Sequence, residues 1–161
     1  MSAPVVLFNG TYDETMALLV EARNYVAFRE AVDRKNLAPM ARLQACFESL
    51  RVTSRLTQIM AWLLAQKAVY AGEISAEQGV GEAYALSGGG VCDECSGADN
   101  EDLPCGLRSL LERSYRLYRR VVRLEDMVRR HVLESGAETD HYPAVVGMVC
   151  GGGLARLGEP R

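Results

Sequence analysis

The chain has 161 residues, of which 48% are hydrophobic and 24% are charged, and its formal net charge is -3. This length is enough for one domain with its own apolar core, and the moderate charge excludes a disordered or strongly basic chain. No long apolar run and no basic segment followed by an apolar one is found, which predicts a cytoplasmic protein without a membrane span or secretory signal.

The sequence predicts three long helices. The first is expected over Thr11–Val32, because the threonine is followed three residues later by Glu14, the spacing of a capping box. The second is expected over Pro39–Gly72, since proline suits a first helical position and glycine suits a C-terminal cap. A short helix is expected from Ser75, which again has capping spacing to Gln78.

The rest of the chain divides into a linker, a third helix and a tail. Residues 87–104 combine glycines and close cysteines with five acids and no base, which indicates a flexible linker. The third helix is expected over Leu107–Glu134, and the glycine-rich residues 137–161 are expected to form a flexible tail. Since no strand pattern is found, the chain is predicted to be an all-α, three-long-helix bundle over residues 1–136.

The second helix carries two apolar stripes on opposite sides. At 100° per residue, one stripe lies within about 80° of Leu50 and the other lies at about 180–240° from it. Two opposed stripes indicate a helix that packs on both sides, either within its own protomer or with one side against a second copy. In a homodimer, the second stripe is the predicted interface. The first stripe consists of Leu43, Phe47, Leu50, Thr57, Met60 and Leu64, and the second of Val52, Leu56, Ile59, Leu63 and Tyr70.

A polar ridge lies between these stripes, at about 80–160° from Leu50. One explanation for its tryptophan is that the ring covers the end of another helix or of the short helix after Ser75. The other is a docking site for a partner, since tryptophan flanked by arginine is a common interface anchor. The residues predicted to contact a partner here are Arg51, Arg55 and Trp62, and the rest of the ridge is Gln44, Glu48, Gln58 and Gln66.

The third helix combines an apolar seam with an arginine-rich face. The seam alternates steps of three and four residues from Leu107 to His131, and the helix carries eight arginines and four acids. The face is predicted to bind an acidic protein surface or phosphate. The alternative is a solvated face that the acidic linker partly neutralises. The candidate contact residues are Arg116, Arg119, Arg120 and Arg123.

The sequence gives little support to catalysis or metal binding. Cys92 and Cys95 form a CxxC pair with Cys105 ten residues further on, but zinc would require a fourth ligand from elsewhere in the chain. The pair does not follow a strand, as a thioredoxin-like site would require. The glycine runs lack the lysine of a phosphate-binding loop, and no nucleophile elbow is found. The chain is therefore predicted to be neither an enzyme nor a cofactor-binding protein.

Two segments resemble the RcdA family, the alphaproteobacterial regulators of CtrA degradation. They are "SLRVTSRLTQIMAWLLAQKAVYAGEIS", from Ser49 to Ser75, and "LERSYRLYRRVVRLEDMV", from Leu111 to Val128. The resemblance implies a homodimeric three-helix bundle that acts as a proteolytic adaptor. It also implies as partners the ClpXP protease, co-adaptors and substrates such as CtrA, with recruitment to the cell pole.

Two other functions stay open. One is a nucleic-acid-binding regulator that uses the arginine-rich third helix, although a pI near 5.5 disfavours it. The other is a metal or thiol sensor built on Cys92, Cys95 and Cys105.

Overall fold

The computed structural model describes residues 3–86, 92 and 98–135, and the long elements among them are all α-helices. This confirms the all-α class, whereas the predicted tail at 137–161 and much of the predicted linker lie outside the described residues. In chain order the elements are α1 (Ala3–Asn24), a π-helical turn (Tyr25–Arg29), α2 (Glu30–Lys35), α3 (Pro39–Tyr70), α4 (Ala76–Gly79), a 3₁₀ turn (Glu82–Tyr84) and α5 (Cys105–Ser135).

The first helix begins earlier than the sequence predicts, and the proposed cap at Thr11 is wrong. Thr11 lies inside α1, where its carbonyl oxygen accepts a 2.6 Å hydrogen bond from the hydroxyl of Thr15. Both threonines are buried, and the Thr15 hydroxyl is satisfied by the helix backbone, so this part of the chain continues the helix instead of starting it. The carboxylate of Glu14 pairs with Arg120 of α5 instead of completing a capping box.

The ends of α3 and α4 follow the predicted capping chemistry. Pro39 is the first residue of α3, and Gly72 has a φ of 73° just beyond its last turn. The amide of Gly72 donates to the carbonyl of Val69 and the next amide donates to that of Ala68, which is a Schellman motif. The predicted capping box of Ser75 and Gln78 is also present at the start of α4.

Ion pairs and a short turn fix the directions of the three long helices. Glu21 pairs with Arg113 and Glu14 pairs with Arg120, so α1 and α5 run antiparallel. The turn between α2 and α3 is short, so α3 also runs antiparallel to α1. Helices α3 and α5 are therefore parallel. Residues 71–104, which we call the return connection, lead back from the end of α3 to the start of α5.

The core lies between α1, α3 and α5 and is closed by the return connection. The seam of α5 is buried from Leu107 to Val128, as predicted, whereas His131 at its end is exposed. Helix α1 contributes Leu18, Ala22 and Tyr25. Burial and the nearby Asp33 carboxylate raise the pKa of the Tyr25 phenol, so its hydroxyl stays protonated and donates to that carboxylate.

Gly79 gives a test of how closely α4 packs on α3. A Cβ added at this glycine would lie 2.3 Å from Cγ2 of Val69, a buried and β-branched side chain with little freedom to move. Gly79→Ala is therefore expected to lower the free energy of unfolding by about 1–3 kcal/mol, although alanine normally favours a helix.

The matched control is Gly10→Ala in α1, where an added Cβ would meet nothing within 4 Å. Urea unfolding followed by circular dichroism should show this control unchanged or more stable, by up to about 1 kcal/mol. A stabilising effect of both substitutions would contradict the packing described for α4.

Candidate protein-docking surfaces

The three ridge residues predicted to contact a partner lie inside the protein, so the docking role predicted for them is wrong. Trp62 is 1% exposed, and Arg51 and Arg55 are 2% and 1% exposed. A side chain withdrawn from solvent to this degree does not contact a partner on the surface of the folded protomer. The structure agrees with the other explanation, in which Trp62 is covered from within its own chain.

Arg55 joins α3 to both the return connection and α5. Its Nε donates to the carbonyl oxygen of Cys92 at 2.9 Å, and its Nη1 donates to the carbonyl oxygen of Leu111 at 3.3 Å. Its guanidinium also lies over the Tyr115 ring, 5.0 Å from the centroid. Arginine carries five donors, which allows one buried side chain to satisfy several acceptors at once. Arg55 is therefore a structural residue.

Arg51, Glu48 and Gln66, three other buried polar residues of α3, also have partners. The Arg51 guanidinium binds the Glu48 carboxylate at 2.8 Å, with both side chains buried, and it lies 5.0 Å from the centroid of the Phe47 ring. Near the other end of the helix, the amide of Gln66 donates to the carbonyl oxygen of Gly79 at 3.0 Å. These ridge residues can thus face inward because their polar groups find partners there.

Helix α5 holds the middle of the return connection from its own side. The amide nitrogen of Leu86 donates to the buried Glu125 carboxylate at 3.0 Å, and the Tyr118 hydroxyl donates to the Leu86 carbonyl oxygen at 2.8 Å. Side chains of α5 therefore satisfy both the backbone amide and the backbone carbonyl of Leu86.

The stripe predicted as the dimer interface is the protomer core. Val52, Leu56, Ile59 and Leu63 are all buried in the main apolar cluster, and only Tyr70 is exposed. The sequence analysis assigned this stripe to a second copy because it took the adjoining polar ridge to be exposed, whereas the ridge residues next to the stripe are buried. The buried ridge residues and the second stripe together form one wide inward face, and this leaves the first stripe as the outer face of α3.

The outer face of α3 exposes large apolar side chains along much of its length. We call this surface the outward stripe. Monomeric proteins rarely expose contiguous apolar surface of this kind, so the stripe is a candidate interface. Its large members are Met40, Leu43, Phe47, Leu50 and Leu64, which are between 47% and 76% exposed.

The arginines of α5 fall into two groups. Arg113 and Arg120 point toward α1 and pair with Glu21 and Glu14. Arg116, Arg119 and Arg123 are exposed on the solvent side of the helix. The surface part of the predicted arginine site is therefore narrower than the sequence indicated, because one of its four members, Arg120, pairs with α1.

The described cysteines among the weak metal candidates do not form a metal site. Cys92 is buried, Cys105 is exposed at the start of α5, and Cys95 lies outside the described residues. Among residues 3–86, 92 and 98–135, no group of three or more His, Cys, Asp or Glu is arranged to hold a metal ion. None of the described helices is long and apolar enough to cross a bilayer.

These features define an α-helical bundle with buried polar residues on α3 and two distinct outer faces, one apolar and one cationic. The chain matches a family model described as "Protein of unknown function (DUF1465)" over residues 2–144. It is also 36% identical to the solved structure of RcdA from Caulobacter crescentus CB15, with a TM-score of 0.61. That match covers 76% of this chain and 90% of the RcdA chain. No curated protein matches the chain.

The chain therefore belongs to the DUF1465 family and is an RcdA-like protein. The resemblance seen in Ser49–Ser75 and Leu111–Val128 is confirmed.

Substitution of Arg55 tests whether the buried ridge is structural. Arg55→Met keeps much of the side-chain volume but leaves the Cys92 carbonyl without this donor, so the free energy of unfolding is expected to fall by about 2–4 kcal/mol. Arg119→Met on the exposed face of α5 removes the same charge and is expected to change the free energy of unfolding by less than about 0.5 kcal/mol. Urea unfolding of both variants measures the difference, and equal effects would contradict a structural role for Arg55.

Proposed function

We propose that this protein is a non-catalytic adaptor of regulated proteolysis. In this function it delivers cell-cycle regulators such as CtrA to the ClpXP protease, together with co-adaptors, and its partners bring it to the cell pole. The observation that carries the proposal is the 36% identity with RcdA over 90% of that chain. The resemblance to the RcdA family, stated from the sequence, supplies the adaptor role itself.

The surfaces of the bundle are suited to an adaptor. An adaptor works by raising the concentration of a substrate near the protease, which requires two binding surfaces and no reactive group. The outward stripe of α3 and the arginine face of α5 differ in chemistry, so each can select a different partner. The arginine contacts proposed for docking are Arg116, Arg119 and Arg123, with Arg120 beside them where it pairs with Glu14.

We also propose that the adaptor is a homodimer that joins through the outward stripe. Support comes from the exposure of Leu43 and Leu50, which are 65% and 66% exposed in the protomer. A second copy would cover these side chains with the same apolar surface, as a two-fold dimer requires. Such burial contributes roughly 25 cal/mol for each Å² of apolar surface removed from water.

Leu50→Asp tests this interface. The carboxylate would be buried without a partner in the dimer but solvated in the monomer, so light scattering should give half the mass of the wild type. Circular dichroism should stay helical, because Leu50 makes no contribution to the protomer core. Gln44→Asp, at another exposed position of α3, is the matched control and should remain dimeric.

Ile59→Asp distinguishes the corrected interface from the one predicted by the sequence. Ile59 is fully buried, so a carboxylate there is expected to unfold the protomer. A folded monomer from Ile59→Asp, or a folded dimer from Leu50→Asp, would contradict the outward stripe as the interface.

Reconstituted proteolysis tests the adaptor function directly. Purified ClpXP, CtrA and the co-adaptors of the same organism are incubated with and without this protein, and loss of CtrA is followed on gels. We expect degradation to be at least several-fold faster when the protein is present, because tethering raises the local substrate concentration. An unchanged rate at saturating protein would contradict the delivery of CtrA.

A further inference from the structure

The solvent side of α5 carries a strip of four arginines that the fold leaves available. Its spacing of three, seven and fourteen residues from the first arginine places all four within about 60° of one another at 100° per residue. They extend over roughly 21 Å of helix, at 1.5 Å per residue. We call this surface the arginine strip; it consists of Arg116, Arg119, Arg123 and Arg130.

The arginines of the strip form few ion pairs within the described part of the protomer. Arg119 and Arg123 have no ion-pair partner among the described residues. Arg116 pairs only with Glu112 on its own helix, with both side chains exposed, and such pairs contribute little to stability. Arg130 donates to the backbone carbonyl of Asp126.

The described acids of the linker do not neutralise the arginine strip. Asp99, Glu101 and Asp102 are described and exposed, and none of them forms an ion pair with α5. The strip therefore presents its positive charge to a partner instead of to this part of its own chain.

An exposed methionine lies in the same face. Met127 is 50% exposed and comes four residues after Arg123 and three before Arg130, so it lies between two arginines of the strip. Methionine is a flexible apolar side chain that adapts to irregular partner surfaces. Arginine around an apolar contact is typical of protein interfaces, where the charges set orientation and the apolar group is desolvated.

The flanking charges favour an acidic polypeptide over a nucleic acid. Glu112, Asp126 and Glu134 lie on α5 itself, and Glu14 and Glu21 border it from α1. Duplex DNA carries a charge about every 1.7 Å along its axis, so it would bring phosphates against these acids. An acidic helix places its carboxylates three and four residues apart and can match the spacing of the strip.

We propose that the arginine strip binds an acidic helix of a partner protein, one that carries an apolar side chain among its carboxylates to pack on Met127. This proposal rests on the adaptor function, since it names the chemistry of one of the adaptor's partners. The strip is the proposed source of specificity, and the outward stripe of α3 is left for the second copy of the chain.

The test is a nuclear magnetic resonance titration of the full chain with a designed probe. The probe is a 21-residue helical peptide with glutamates spaced three and four apart around a central leucine, and the comparison peptide has lysine at each glutamate. We expect saturable shifts confined to residues 116–130, weakened at least about fivefold by Arg119→Glu with Arg123→Glu and lost at high salt. The matched control is Arg23→Glu with Lys67→Glu, which makes the same charge change at exposed positions elsewhere.

Four outcomes would overturn the proposal. They are no saturable shift, shifts located away from α5, equal binding of the lysine peptide, and tighter binding of a 20-base-pair DNA duplex. Deletion of residues 137–161 tests whether the chain's own tail occupies the strip. If only the shortened chain binds the probe, the tail is the occupant and the proposal of a partner helix fails. Because the readout requires no protease, peptide binding without faster CtrA degradation would leave this inference standing while the adaptor function fails.

Discussion

The structure depends on polar side chains of α3 that bind the backbone of the return connection. A parallel pair of long helices cannot be joined by a short turn, so the chain must return along the bundle between them. The buried backbone groups of the described residues in this connection need hydrogen-bond partners. Arg55 and Gln66 supply donors to it from α3, while Tyr118 and Glu125 bind it from α5. Without these contacts, the connection would bury unpaired carbonyl and amide groups, which costs folding free energy.

The helices could be predicted because their signals are local. Proline at the start of α3, glycine after its end and the serine–glutamine box before α4 each act through neighbouring backbone groups. The seam of α5 could also be predicted, since its period is strict and its other faces are charged. The start of α1 could not, because a threonine that caps a helix and one that packs inside it look the same in sequence.

The surfaces of α3 were harder to predict, because long polar side chains do not reveal where their heads lie. Arginine, glutamine and tryptophan in one row suggest a solvent-exposed face, yet Arg51, Arg55, Trp62 and Gln66 are at most 2% exposed. The information that decides between these alternatives lies far along the chain: the acceptor for Arg55 is 37 residues away at Cys92. Because the ridge was predicted to be exposed, the second stripe, which forms the core, was predicted to contact a second copy of the chain.

The distant pairing has a consequence for how the chain is made. Arg55 meets the Leu111 carbonyl 56 residues later, and Glu14 meets Arg120 106 residues later. At synthesis rates of about 5–20 residues per second, roughly 3–11 seconds pass between the addition of Arg55 and that of Leu111. During that interval the part of the inward face of α3 that packs on α5 is uncovered. Newly made chains are therefore most exposed to aggregation, and most in need of chaperones, before α5 emerges.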